Sequence, residues 1–310
     1  MTHTDLDLLF NRRLDFPDHA AAKRLQRLVG LDEVKSRLSK TLGVLVNHHG
    51  PQNWAKKHHP NASILLDYLS RRPPLVIFAG DVGTGKTELA ELIGDAIARQ
   101  EDIPITLFPL SLSTRGSGRV GEMTQLLTEA FEVVVQQALR LKGKGSAKTG
   151  GAIIMLIDEG DALTQSREAT QMHHEDRAGV NAFIRGVDRV AEQHLPVVVI
   201  LCTNRLSSID PAVQRRAADI FRFVRPNDDQ RRAVLGVPLT EAGFSQTEID
   251  ELVKLTGPTK SSPAGFTFSD LTQRLLPTLV LDAYPDKAIS FRRAVQLLDT
   301  IVATPQFLEK

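Results

Sequence analysis

Leu75-Val76-Ile77-Phe78-Ala79-Gly80-Asp81-Val82-Gly83-Thr84-Gly85-Lys86-Thr87 is the stretch on which the reading of the whole chain turns. Leu75 to Ala79 is an uninterrupted apolar run, the pattern of a strand buried on both faces. The run breaks at Gly80, and Gly80 to Thr87 fits G-x-x-x-x-G-K-[ST] at every fixed position. Directly after it Leu89, Leu92, Ile93, Ala96 and Ile97 fall on one face of a helix. Strand, glycine-rich turn and helix, in that order, make a cradle for phosphate. The glycines let backbone N–H groups close round the oxygens, and the helix start adds the positive end of its dipole. Lys86 then reaches the β- and γ-phosphates and the Thr87 hydroxyl ligates Mg²⁺. The expected ligand is a nucleoside triphosphate, ATP with Mg²⁺, contacted by Gly80, Val82, Gly83, Thr84, Gly85, Lys86, Thr87 and Glu88.

The remainder of the composition sets bounds. A chain of 310 residues with 42% hydrophobic and 24% charged residues has ample core for one large domain and a smaller one. Lys and Arg number 38 against 37 Asp and Glu, so no basic excess calls for nucleic acid. The single cysteine, Cys202, rules out an intramolecular disulfide and suits a reducing compartment. No apolar run approaches membrane-spanning length, and Met1 to Asp7 lacks a signal-peptide core. The expected location is the cytoplasm.

Outward from the phosphate loop, strands alternate with helices. Ile105–Leu112, Ala152–Ile157, Val197–Cys202 and Asp219–Val224 read as further strands, with helices near 123–141 and 178–192 between them. The expected fold is α/β, a five-stranded parallel sheet covered by helices on both faces. Past Arg225-Pro226 the strands stop and helical patterns take over near 227–236, 246–256, 268–283 and 288–302. That shift divides the chain into an N-terminal arm with leading helices (1–74), an α/β core (75–225) and a helical lid (226–310). Residues 1 to 20 read as an extended arm or short helix, and 47 to 61 as a loop holding His48, His49, His58 and His59. No cysteine or carboxylate accompanies those histidines, which favours a solvated loop over a metal site. Residues 142 to 151 read as a flexible connection.

Ile153 to Ile157 delivers Asp158-Glu159 at its C-terminal end, where open α/β sheets bind ligands. Downstream of a phosphate loop the pair points to hydrolysis: Asp158 in the magnesium shell, Glu159 as the base that activates water. Asn204 ends the next strand, where its amide either holds that water or forms the turn. Arg215 and Arg216 follow the helix-starting Asp210-Pro211. They are either a solvated face or fingers that reach a neighbouring subunit's γ-phosphate.

On these residues the chain resembles an AAA+ ATPase across roughly residues 25 to 300. More narrowly it resembles the pachytene-checkpoint family, whose members remodel HORMA-domain proteins. The narrower likeness rests on Leu156 to Glu159 with Ala162-Leu163-Thr164, on Val180-Asn181-Ala182, and on Ile209 to Ile220 with its Arg216-Ala217-Ala218-Asp219-Ile220 ending. It implies a homohexameric ring with ATP at the subunit junctions and Val29-Gly30-Leu31 on the adenine side. It also implies a pore loop in 113–121, where Arg119 and Val120 would touch the client, and a lid arginine that senses the γ-phosphate. Arg274 is the candidate for that arginine, a turn later than the family places it. The pore loop offers an arginine and a valine where such motors usually present an aromatic residue. The residues before the core are too few for the substrate-recognition domain of the eukaryotic members, so recruitment differs. The bacterial members act beside HORMA proteins that activate a cGAS-like nucleotidyltransferase in anti-phage defence, and they restrain that signal. Competing readings are a Rubisco-activase-like remodeller, a DNA-associated AAA+ loader, and a scaffold that binds nucleotide without hydrolysing it. The intact Asp158-Glu159 pair weighs against the last.

Overall fold

The computed structural model describes residues 9–10, 12–112, 122–143, 149–163, 174–259 and 263–306. The described chain divides into two units that are discontinuous in sequence. The first comprises Met1–Leu25, Glu33–Ala79 and Thr87–Arg222; the second gathers Gln26–Asp32, Gly80–Lys86 and Phe223–Lys310. The boundaries expected from composition ran in chain order, because composition does not register that a turn of a few residues leaves one unit for another.

The first unit is built on a six-stranded sheet: β1 (Leu14–Phe16), β2 (Leu75–Gly80), β3 (Ile105–Ser111), β4 (Ala152–Asp158), β5 (Val197–Thr203) and β6 (Asp219–Phe223). The spatial order is β1-β3-β4-β5-β2-β6, with β3, β4, β5 and β2 parallel in turn. All five strands expected from sequence form. The sixth, β1, pairs antiparallel with β3 and corrects the five-stranded, all-parallel sheet; it places a strand within the segment expected as an extended arm or short helix, of which residues 1–8 and 11 lie outside the described residues. Three residues are too few to show a period. What holds β1 is burial of Phe16 and a 2.7 Å hydrogen bond from the Thr106 hydroxyl to Asp15.

Register explains why the strands are apolar throughout. Ile153, Met155 and Ile157 of β4 align with Phe108 and Leu110 of β3 on one side and Val197, Val199 and Leu201 of β5 on the other, all on one face. Helices Glu122–Leu141 and His174–Glu192 cover that face with Leu127, Phe131, Val134, Phe183 and Val187. The alternate residues Ile154, Leu156, Val198 and Ile200 are just as deeply buried on the opposite face. At about 1.5–3 kcal/mol for each large side chain removed from water, this double burial fixes the strands rigidly. Whatever their C-terminal ends carry is held in place.

Residues 47 to 61 are not the expected loop, for His49–His58 is helical. Only Ala55 of that helix is buried, so no apolar stripe announces it. The two histidine pairs also part company. His58 and His59 lie against the Trp54 ring, while His48 meets the ring of His194 edge-on at 6.3 Å. Burial draws the His48 pKa below its ordinary value, against a hydrogen bond to the Leu195 backbone that favours the charged ring.

The lid part of the second unit consists of helices Asp228–Glu241, Gln246–Leu255, Leu276–Ala283 and Phe291–Leu298, with a π-helical turn at Asp270–Leu275. Two capping boxes, Asn227 with Gln230 and Ser245 with Glu248, start the first two. The first helix runs through Pro238 to Glu241, beyond the 227–236 span expected from its pattern. Leu235, Ile249, Leu252, Leu271, Leu275 and Ala294 close a separate core.

Candidate functional site

In the second unit the turn Gly80–Lys86 lies among lid residues that no motif announced. Gly83 has φ +73°, and a Cβ there would stand 2.6 Å from the Thr267 hydroxyl oxygen. Its carbonyl accepts the Ser269 N–H at 3.0 Å. A Cβ on Gly80 would collide with the Phe223 carbonyl at 2.0 Å. Glycine is therefore imposed at both positions by neighbouring backbone and side chains as well as by the motif. Lys86 is 7% exposed, and its ammonium donates to the carbonyls of Gly80 (2.9 Å) and Asp81 (2.8 Å). The Thr84 hydroxyl donates to the same Asp81 carbonyl at 2.7 Å. The adenine-side segment is in this unit too. Leu31 is the neighbour of Gly85, and the Gly30 carbonyl accepts the Gln230 amide at 2.6 Å. Val29 packs on the lid core.

The acids stand in the first unit at the end of β4, and Asn204 follows the end of the adjacent β5. The Asp158 carboxylate accepts the Glu159 N–H at 2.8 Å. Glu159 is exposed and has φ +55°, a left-handed backbone that a side chain with a Cβ rarely adopts. Strain of this kind, about 1–3 kcal/mol, persists where the surroundings over-determine it and is typical of functional sites. Beside the pair is a carboxylate that sequence reasoning missed. Asp161 accepts the Thr203 hydroxyl at 2.5 Å, the Asn204 backbone N–H at 3.2 Å and the Asn204 side-chain amide at 3.3 Å. The Asn204 side chain is thus oriented by Asp161. The spacing Asp158-x-x-Asp161, which returns a third acid to the strand end through one short turn, was the available signal.

The remaining candidates scatter. Glu88, expected near nucleotide, forms an exposed ion pair with Arg24 at 2.6 Å. Arg216 grips Asp188 through both carboxylate oxygens at 2.7 and 3.1 Å, and this pairing raises its pKa. Arg215 is exposed, and its guanidinium has no partner among the described residues. Arg274 is occupied inside the lid, donating to Asp270 at 2.9 Å and to the Val302 carbonyl at 2.7 Å. Arg119 and Val120 lie outside the described residues.

The residues fit the groups that the motif calls for. Thr87 and Asp158 offer hard oxygen donors, the chemistry Mg²⁺ prefers. The cradle pairs a buried ammonium with a curve of backbone that leaves no room for Cβ atoms at Gly80 and Gly83.

Known proteins bear out the fold. A family model described as "ATPase family associated with various cellular activities (AAA)" matches residues 76–225. CD-NTase-associated protein 6 of Escherichia coli (strain MS 115-1) is 60% identical over 305 residues, 98% of this chain and 98% of that one. A chain in the solved E. coli MS115-1 HORMA:CdnC:Trip13 complex matches with a TM-score of 0.89 at 59% identity, covering 98% of this chain and 99% of its own. The structure of Rhizobiales Trip13 matches at 0.74 and 50% identity, over 96% and 99% of the two chains. Similarity this high over nearly the whole length, on top of an intact phosphate loop and acid pair, makes the chain a member of the AAA+ ATPases, in the pachytene-checkpoint family.

Proposed function

We propose that the chain hydrolyses ATP with Mg²⁺ and, as a cytoplasmic homohexamer, uses turnover to convert HORMA-domain proteins from closed to open. Their complexes with a cGAS-like nucleotidyltransferase come apart as a result, and anti-phage signalling is restrained. The observation that carries this reading is the 59% identity, across almost all of both chains, to a chain of a HORMA:CdnC:Trip13 complex.

In this reading the 80–87 loop receives the triphosphate and Val29-Gly30-Leu31 sides the adenine. Lys86 exchanges the neutral carbonyls of Gly80 and Asp81 for charged phosphate oxygens, which make stronger partners. Thr87 and Asp158 would hold Mg²⁺, which neutralises charge on the phosphoryl oxygens. Glu159 takes a proton from a water that Asn204 holds. The water oxygen bonds to the γ-phosphorus as the bond to the β–γ bridging oxygen breaks, leaving ADP and phosphate. Arg215 from the neighbouring subunit meets the charge developing on the transferred group. Arg119 and Val120 pull on the client, and a HORMA domain suits pulling because its C-terminal segment is a locally weak element that opens without global unfolding.

The test is size-exclusion chromatography of a closed HORMA–peptide complex incubated with the protein and ATP. Release of the peptide is the expected result. An unchanged complex in the presence of hexamer that is hydrolysing ATP would remove the client from this reading and leave the ATPase.

A further inference from the structure

Asp81 is an unexpected residue to find in a phosphate cradle, since its carboxylate brings negative charge to a loop that receives a polyanion. The charge is matched by Arg225, which directly precedes Pro226. Nε and Nη2 of Arg225 both approach one carboxylate oxygen, Oδ2, at 2.8 and 2.6 Å; only the first is a directed hydrogen bond, the second an ion-pair contact. Both side chains are about nine-tenths buried. The other carboxylate oxygen accepts the Val82 N–H at 2.9 Å. Arg225 Nη1 continues to the Gly265 carbonyl at 2.7 Å. The backbone carbonyl of the same Asp81 holds both Thr84 and Lys86. One residue therefore carries the contacts that shape the loop, and one arginine neutralises and orients it.

We infer that Arg225 is a positioning residue for nucleotide binding, acting through Asp81. This rests on the 80–87 loop being the ATP site. Arg225 cancels the Asp81 charge before phosphate arrives, so that the carboxylate lies in the loop without repelling the triphosphate. Buried charges interact with little screening. An Asp81 carboxylate stripped of Arg225 would repel the triphosphate. A simple tether makes a different demand, because then either partner's loss would loosen the loop equally.

The experiment is titration of the full-length protein with fluorescently labelled ATP and Mg²⁺, alongside steady-state ATPase kinetics. Arg225→Ala is expected to raise the dissociation constant and KM about tenfold or more while kcat at saturation stays within about threefold, since Arg225 touches no reacting atom. Adding Asp81→Asn to Arg225→Ala is expected to bring affinity back to within about threefold of wild type, because the carboxylate charge is gone. Asp81→Asn alone, which keeps an acceptor for Arg225, is expected to bind ATP at least as tightly as wild type within the same factor. It serves as the deciding variant if Arg225→Ala does not fold. Arg225→Ala with wild-type affinity, a double variant as weak as the single one, or a tenfold loss in Asp81→Asn would each overturn the inference. Wild type that binds no ATP would instead overturn the nucleotide site itself.

Discussion

One oxygen of Asp161 stands 3.3 Å from the side-chain amide of Asn204 and 3.2 Å from its backbone N–H, so the end of β5 is fastened to the turn that follows β4. The second oxygen takes the buried Thr203 hydroxyl. If Asn204 holds the attacking water, Asp161 sets where that water sits. Asp161→Asn keeps an acceptor for Thr203 and weakens the hold on Asn204. It should lower kcat about tenfold, near 1.4 kcal/mol of transition-state stabilisation, with ATP affinity unchanged. Asp161→Ala should lower kcat further and melt earlier, since it removes the acceptor of the Thr203 hydroxyl and of both Asn204 donors. Steady-state kinetics with a nucleotide titration separates the effects; an Asp161→Asn enzyme as fast as wild type would detach Asp161 from the chemistry.

The sheet and the motif-bearing turns were legible because each rests on local chemistry. Leu75 to Ala79 is apolar at every position since both faces are covered, and Gly83 is glycine since its backbone is left-handed against Thr267. What was not legible depends on partners distant in the chain. β1 exists only because β3 offers an edge, and the helix His49–His58 buries one residue. Arg225 meets Asp81 across 144 residues, and Gln230 meets Gly30 across 200. Arg215 and Arg216 look alike in sequence, and only the fold hands Asp188 to one of them.

Glu159 combines a proposed catalytic role with a left-handed backbone. Glu159→Gln keeps the geometry and removes the base, so ATP binding should persist while turnover falls by about 10²–10⁴. Glu159→Gly should be as inactive yet melt no lower than wild type, because glycine relieves a conformation that costs about 1–2 kcal/mol with a Cβ. That gain offsets glycine's own entropic penalty of roughly 0.5–1 kcal/mol. Differential scanning calorimetry of the two variants tests the strain. A glycine variant several degrees less stable than Glu159→Gln would show that the left-handed turn is not strained.

His48 gives a pH dependence whose sign follows from its surroundings. Burial lowers its pKa in the folded chain, so the unfolded chain binds the proton more readily. The stability that neutral His48 supports is complete above the unfolded value of about 6.5 and is lost as the pH falls below it towards the folded value. His48→Gln removes the titration and should flatten the fall in melting temperature between about pH 7 and pH 5 relative to wild type. Parallel melting curves for the two proteins would dismiss His48 as the source.

Arg215 and Arg216 should separate cleanly. Arg216 is held along its Nε–Nη2 edge by Asp188 and through Nη1 by the Ala212 carbonyl at 3.0 Å, which leaves it little freedom to swing outward. Arg216→Ala should therefore lower stability by about 0.5–1 kcal/mol, the scale of a partly exposed pair, and reduce activity in proportion to lost fold. Arg215, exposed and without a partner for its guanidinium among the described residues, is the candidate finger in the proposed ring. Arg215→Ala should leave the melting temperature unchanged and lower ATPase by about 10³ or more, the worth of a finger. Mixing it with Lys86→Ala subunits should recover activity, since some junctions then join an intact Lys86 site to an intact Arg215. The same mixture made with Glu159→Gln subunits in place of Lys86→Ala should recover it likewise, because the defect again lies in the opposite partner. Proven co-assembly with no recovery in either mixture would assign Arg215 to the surface and leave the developing charge to another group.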